Sequence, residues 1–336
     1  VGWRLFAHAV GRRESVNSTG AQASGLLEAY LERNVAFGQG HELVVRLGQF
    51  FLPASRENVG DLWTSPYTLT LSALNSWIAE EVRPLGIDAA WRYTTRAEHR
   101  LSLGATVFGG NDTSGALLAW RGFSLHDRAT PVTRTVPLPP LPVLRTQFSS
   151  QSAQGSRAFG SDLDGRAGYA GRARWNGPGG RATVQATAFI NNGDRALHQD
   201  EYAWDTDFRW LSAEFDLGAG FSLLGEWGTA VSRMGFDQAD RRRAAVDIEA
   251  DAFYLMATWA RGAVRLTARF DDFVVRDRDR TPNDDNRENG QAVTLACLVE
   301  ARQHWRLGVE FLTLESERPA AAAFGRSVDA KTLRVK

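Results

Sequence analysis

Residues Val264 to Asp271 read V-R-L-T-A-R-F-D. In an extended chain the two-residue step sends Val264, Leu266, Ala268 and Phe270 to one side and Arg265, Thr267, Arg269 and Asp271 to the other. One such strand is ordinary. The same alternation recurs along nearly the whole chain in segments of about nine to eleven residues, the length that lets a tilted strand cross the hydrocarbon layer of a bilayer. A soluble sheet this long would need a second sheet or helices over its apolar face, and the chain offers almost no amphipathic helical sequence to supply them. Closing the sheet on itself turns the apolar face to lipid and the polar face to a lumen. Every backbone hydrogen bond then forms between neighbouring strands. The expected fold is therefore all-β, a transmembrane antiparallel up-and-down β-barrel making a single domain of residues 1–336.

Composition fits this reading. The 39 basic and 39 acidic residues leave a formal net charge of zero, which gives nucleic acid no bulk attraction. No apolar run is long enough for a transmembrane helix, about 18 residues, but barrel strands are only half apolar and need none. Among the 11 Trp, Trp3, Trp91, Trp175, Trp227, Trp259 and Trp305 fall near expected strand ends, where aromatic rings suit the boundary between headgroups and acyl chains. The single Cys297 cannot form an internal disulfide and is expected to behave as a small hydrophobe. No charged stretch followed by an apolar one opens the chain, so any export signal is expected to have been removed or not included. The bacterial outer membrane is the expected location, with its lipid as a partner.

Strands are expected over residues 2–10, 25–33, 42–51, 86–94, 100–108 and 116–124, then over 166–175, 181–191, 205–217, 221–232, 250–259, 264–275, 292–301, 306–314 and 327–335. After Trp175 the connections alternate between short turns and long polar loops, as in barrels with periplasmic turns and extracellular loops. Carried back to the N-terminus, this parity fails by one. A further strand at Val143 to Ser150 would restore it, giving about 16 strands in all.

Two insertions interrupt the pattern. In residues 53–84, Ser65 and Pro66 read as a helix start, and Leu71, Leu74, Ile78 and Val82 follow at helical spacing. This segment should hold a short helix, either folded inward as a constriction loop or packed over the rim. Residues 125–163 include Pro131 to Pro142, P-V-T-R-T-V-P-L-P-P-L-P, an extended proline-rich loop or plug.

The polar face assigned strand by strand places Arg4, Arg46, Arg92, Arg100, Arg121, Arg172, Arg174, Arg265 and Arg269 toward the lumen. Glu28, Glu32, Glu42, Asp88, Glu226, Asp271, Glu300 and Glu310 join them. A pore lined by both signs carries a strong transverse field in which guanidinium groups take over part of an anion's hydration. Small polar solutes are the expected cargo. The basic residues are 37 Arg and only two Lys, Lys331 and Lys336, a bias that suits bidentate anion recognition but that a GC-rich genome also produces. Anion preference is thus a secondary expectation.

The loop Arg276 to Glu288, R-D-R-D-R-T-P-N-D-D-N-R-E, gathers oxygen donors, with Asp277, Asp279, Asp285 and Glu288 as weak metal candidates. It lacks the glycine and the ligand spacing of an EF-hand and reads first as a solvated hairpin loop. No cofactor is expected. His8, His41, His99, His126, His198 and His304 are scattered, and neither G-x-S-x-G nor a Walker-type glycine loop is present. The chain is not expected to be an enzyme.

Short stretches resemble those of a known family. Val44 to Pro53, V-V-R-L-G-Q-F-F-L-P, runs into Ala54 to Asn58, A-S-R-E-N; Ala89 to Tyr93, A-A-W-R-Y, and Leu101 to Asn111, L-S-L-G-A-T-V-F-G-G-N, follow. Together they resemble Gram-negative outer-membrane porins of the phosphate-selective porin O/P type. The resemblance implies a barrel of about 16 strands, often trimeric, that passes small solutes. Anion-selective members use lysines along the conduit, which this chain nearly lacks, so phosphate selectivity does not carry over. Barrels of this kind usually end on an aromatic residue, whereas Thr332 to Lys336 reads T-L-R-V-K. The last strand is expected to be cut short here, with the natural C-terminus a few residues further on.

The sequence thus points to an outer-membrane porin for passive diffusion, with a homotrimer or larger membrane complex as its expected assembly. The alternative is a scaffold subunit of a surface complex with a blocked lumen.

Overall fold

The computed structural model describes residues 2–12, 23–132, 134–158, 162–302, 305–322 and 330–335. His304 and the start of the last expected strand, 327–329, lie outside the described residues.

Fourteen strands pair in chain order into one antiparallel sheet. They are β1 (Arg4–Arg12), β2 (Ala23–Phe37), β3 (His41–Gln49), β4 (Leu85–Thr94), β5 (Arg100–Gly109), β6 (Gly168–Asn176), β7 (Ala182–Ile190), β8 (Asp205–Gly218), β9 (Phe221–Met234), β10 (Val246–Arg261), β11 (Val264–Asp277), β12 (Glu288–Arg302), β13 (Trp305–Glu317) and β14 (Ala330–Val335). Period-two patterning positions them as expected. On β11, Leu266 and Phe270 are exposed, while Thr267, Arg269 and Asp271 are buried on the opposite face. Leu211, Trp227, Phe253, Leu255, Leu295 and Leu307 continue the exposed apolar face around the sheet.

The count corrects the expectation of about 16 strands. Residues 116–124 are not a strand: Ala116–Trp120 forms helix α2, all five residues buried. Val143 to Ser150 is not a strand either, because Pro142–Arg145 and Ser149–Gln154 form helices α3 and α4. Pro142 occupies the first turn of α3, where its fixed φ and missing N–H are tolerated. With the strand at 116–124 removed, short turns and long connections alternate along the whole chain. The parity that seemed to demand an additional strand is satisfied without one.

Short turns close with left-handed residues. In the β8–β9 turn Gly218, Ala219 and Gly220 have φ of 81°, 52° and 84°. A Cβ on Gly220 would lie 2.1 Å from the Ala260 carbonyl oxygen of the next strand pair, so glycine is required there on both counts. Aromatic rings collect beside these turns. Phe37, His41, Trp91 and Tyr93 stack in sequence across β2–β4, and the Trp175 indole donates to His99 Nδ1 at 3.2 Å.

Residues 50–84 leave the sheet and return through its concave side. Helix α1 (Ala73–Glu81) begins at Ser72, whose side chain accepts from the Asn75 N–H. Ser65 and Pro66 make a turn upstream, the Ser65 hydroxyl accepting from the amides of Tyr67 and Thr68. All nine residues of α1 are buried, so this helix is enclosed on every side and not amphipathic. Leu74, Trp77 and Ile78 join Leu118, Trp120, Leu144 and Phe148 in one apolar cluster with Phe108, Phe189, Phe208, Ile248, Phe273 and Val275 of the strands. This cluster sits toward the long-loop ends of the strands and fills the interior there.

Candidate functional site

The inserted segment meets the inner face of the sheet almost all the way round. From β2, Glu28 accepts the Phe51 amide at 3.1 Å. Gln185 of β7 donates to the Pro53 and Ala54 carbonyls, and Glu214 of β8 pairs with Arg56 at 2.8 Å. Glu226 of β9 accepts from the Ser55 hydroxyl, the Arg56 amide, the Asn75 amide group and the Trp210 indole. Glu310 of β13 accepts the Leu69 and Thr70 amides at 2.7 and 3.2 Å. A segment held from β2 at one end of the sheet and from β13 at the other is a segment around which the sheet has curled. A cavity of about 340 Å³ beside it is lined by His8 and Val10 of β1 together with Leu298 of β12 and Arg306 of β13.

Arg269 anchors the centre. It is 1 % exposed and pairs with Asp271 and with Glu57 of the insert, each at 2.7 Å. Its remaining donors reach the Thr70 and Leu71 carbonyls. Burial pushes the Glu57 carboxyl up to about 7, against the pull of Arg269 and the Ser72 hydroxyl.

A second carboxylate knot ties the two insertions together. Glu81, at the end of α1, accepts from the Trp77 indole at 2.6 Å, the Gly115 and Leu117 amides at 3.0 and 2.9 Å, and the Ser156 hydroxyl. It thereby caps the orphan amides at the start of α2. Burial raises it to about 7. Glu80 beside it also feels burial, but Arg121 and His126 outweigh that and hold it well below the usual carboxylate range. Arg121 is therefore not on a strand face. It follows α2 and binds Glu80 and Ser124.

Between β1 and β6 the wall is different: its charges pair in the plane of the sheet and stay partly hydrated. Glu32 bridges Arg4 and Arg46 at 2.6 and 2.9 Å, Glu42 meets Arg92 at 3.3 Å, and Asp88 holds Arg172 by two bonds of 2.6 and 2.9 Å. The Arg172 guanidinium lies flat over Gly104, where a Cβ would sit 2.6 Å from it. Arg174 has no carboxylate partner among the described residues, its Nε is buried without a hydrogen bond, and the charges of Arg56, Arg92, Arg172 and Arg100 surround it. Arg100 reaches only the Thr94 hydroxyl at 3.4 Å. Arg265 donates to Thr258 and lies 5.3 Å from the Tyr67 ring centroid. Glu300 pairs with Arg306 in an exposed position at the short-turn end.

The residues expected along the lumen thus divide. Arg4, Arg46, Arg92, Arg172 and Arg174 share one wall, whereas Arg269, Glu226 and Glu310 are 0–2 % exposed beneath the insert. Sequence reasoning missed Glu57, Glu81 and Arg83, all on the insertions. A signal was present in the strands: Phe189, Phe208, Ile248, Phe273 and Val275 occupy inward positions that open water would leave polar. The weak metal candidates do not converge. Asp277 and Asp279 accept backbone amides, Asp285 pairs with Arg287, and Glu288 turns inward to Arg318 and the Phe123 amide. The carboxylates that do gather are Asp112, Asp162 and Asp164, within 4.8 Å of one another.

Comparison with protein-family models finds no match, and no curated protein matches. Among solved structures, the chain is similar to a loop L8 deletion mutant of OmpT, an outer membrane protein of Vibrio cholerae, at 9 % identity and a TM-score of 0.49, covering 94 % of this chain and 92 % of that one. It is similar to the outer membrane channel DcaP of Acinetobacter baumannii at 10 % identity, TM-score 0.49, over 99 % and 94 % of the two chains. An anion-selective porin from Comamonas acidovorans aligns at 11 % identity, TM-score 0.48, over 94 % and 89 %.

Proposed function

We propose that this protein is a channel of the bacterial outer membrane through which small polar solutes diffuse passively, its sheet closing between β1 and β14. The location follows from the outward apolar band and the aromatic rings at the short-turn ends, which need lipid and headgroups as their solvent. The observation that carries the channel is the contrast between the two sides of the interior. The insert seals itself to β7–β13 through buried carboxylates and Arg269, and leaves the Arg and acid ladder of β1–β6 hydrated. A conduit bounded by that ladder on one side and by Arg56 on the other passes ions beside an internal brace. With Arg174 and Arg100 uncompensated, the conduit favours anions, and three copies would pack through their lipid-facing sides.

The rival reading, a plugged scaffold, draws on the apolar cluster that fills the long-loop end. Single-channel recording of the refolded full chain in a planar bilayer separates the two. Discrete, reproducible conductance steps are expected; a protein that inserts and never conducts overturns the channel.

A further inference from the structure

Away from the conduit, the loops 191–204, 235–245 and 278–287 enclose a cleft of about 420 Å³, within the range of about 300–1,000 Å³ typical of small-molecule sites. Six guanidinium groups line it, from Arg195, Arg233, Arg242, Arg243, Arg278 and Arg280, against three carboxylates, Asp237, Asp247 and Asp279. We propose that this cleft binds a phosphate monoester carried on a sugar-sized body.

The carboxylates do not neutralise the cleft, because they hold its walls together. Asp237 accepts the Ala239 and Asp240 amides at 2.7 and 2.9 Å. Asp279 accepts the Asp247 and Thr281 amides at 2.9 and 2.8 Å, joining the start of β10 to the third loop. Arg233 is taken by Asp205 and Asp247, Arg243 by Asp240 and Arg278 by Glu249. The Arg195 guanidinium lies 4.9 Å from the Phe236 ring centroid, which fixes its plane and leaves its edge free to donate. Arg242 and Arg280 form no ion pair among the described residues, and both are exposed.

Guanidinium forks from separate loops, on a frame already braced by backbone bonds, present paired donors at the angles a phosphate group accepts. The cleft is larger than a bare inorganic ion, so part of its volume is left for the body that carries the phosphate. That body is either a free solute or the headgroup of a phosphorylated sugar lipid, and the recognition chemistry is the same.

Titration of the full chain in neutral detergent with glucose 6-phosphate and with glucose tests the site. Binding of the phosphate ester and none of the neutral sugar is expected. Arg242→Ser with Arg280→Ser should weaken it about tenfold, one charge-assisted contact's worth, without moving the melting temperature. A diphosphorylated glucosamine lipid that displaces glucose 6-phosphate, while its dephosphorylated form does not, identifies the lipid source; failure of both lipids to displace it identifies the free solute. Equal binding of the two sugars, or unchanged affinity in a folded Arg242→Ser/Arg280→Ser variant, overturns the site. Conductance plays no part in this readout, so the result stands apart from that of the channel.

Discussion

Arg269 on β11 and Glu57 in the inserted segment are 212 residues apart in sequence, yet their side chains meet at 2.7 Å with neither exposed to solvent. A pair this deep is costly to form and more costly to break, because removing one partner strands the other as an unpaired buried charge. Arg269→Met leaves both Glu57 and Asp271 without a cation and should destabilise the protein by about 3–5 kcal/mol. Adding Glu57→Gln and Asp271→Asn should recover much of that loss. Thermal unfolding followed by circular dichroism in detergent checks both, and a single variant as stable as the parent would remove the clamp from the account.

Trp77 packs edge-on against Phe208 with ring centroids 5.4 Å apart and is almost wholly buried. Trp77→Ala should cost about 3–5 kcal/mol through lost burial and the cavity left behind, and it also frees one donor from Glu81. Because α1 then loosens inside the sheet, single-channel records should show more open-state noise than the parent.

Glu81 makes stability depend on pH in a defined direction. Its folded value of about 7 lies above its ordinary 4.5, so the native state holds the proton more tightly than the unfolded chain. The resulting stability is fully present below about 4.5 and is lost as pH rises toward 7. Glu57 acts in the same sense over the same window. Melting temperatures should therefore fall between pH 4.5 and 7, and Glu81→Gln should flatten the slope. A slope unchanged in that variant would assign the effect to other groups.

Ion selectivity should reside in the β1–β6 wall. Arg92→Ser with Arg174→Ser removes two hydrated cations from it and should move the reversal potential under a salt gradient toward cation preference. Arg269→Ser should leave that potential where it was, since the buried guanidinium does not meet the conduit. An equal shift in both variants would contradict this division of the lumen.

Period-two patterning was enough to read every sheet strand, since a residue's side of the sheet depends only on its parity along an extended chain. The outward apolar face, the position of Cys297 on it and the helix in the first insertion were legible for the same local reason. Ala116 to Trp120 was misread because A-L-L-A-W offers no polar partner for either period. With apolar residues at every position, a buried helix and a buried strand look alike. Only contact with α1, the Phe108–Phe189–Phe208 stack and the Glu81 cap distinguish them.

What the sequence by itself determined is the sheet: its parity, its lipid-facing side and the alternation of turns and long connections, all consequences of spacing along one chain. What only the tertiary structure decided is the interior. Whether an inward Arg or Glu lines water or clamps an insert depends on which distant segment fills the space in front of it. Arg269 and Arg92 carry the same alternation signal, and one is buried against Glu57 while the other stays hydrated beside Glu42. That difference is set by long-range packing, which no local pattern encodes.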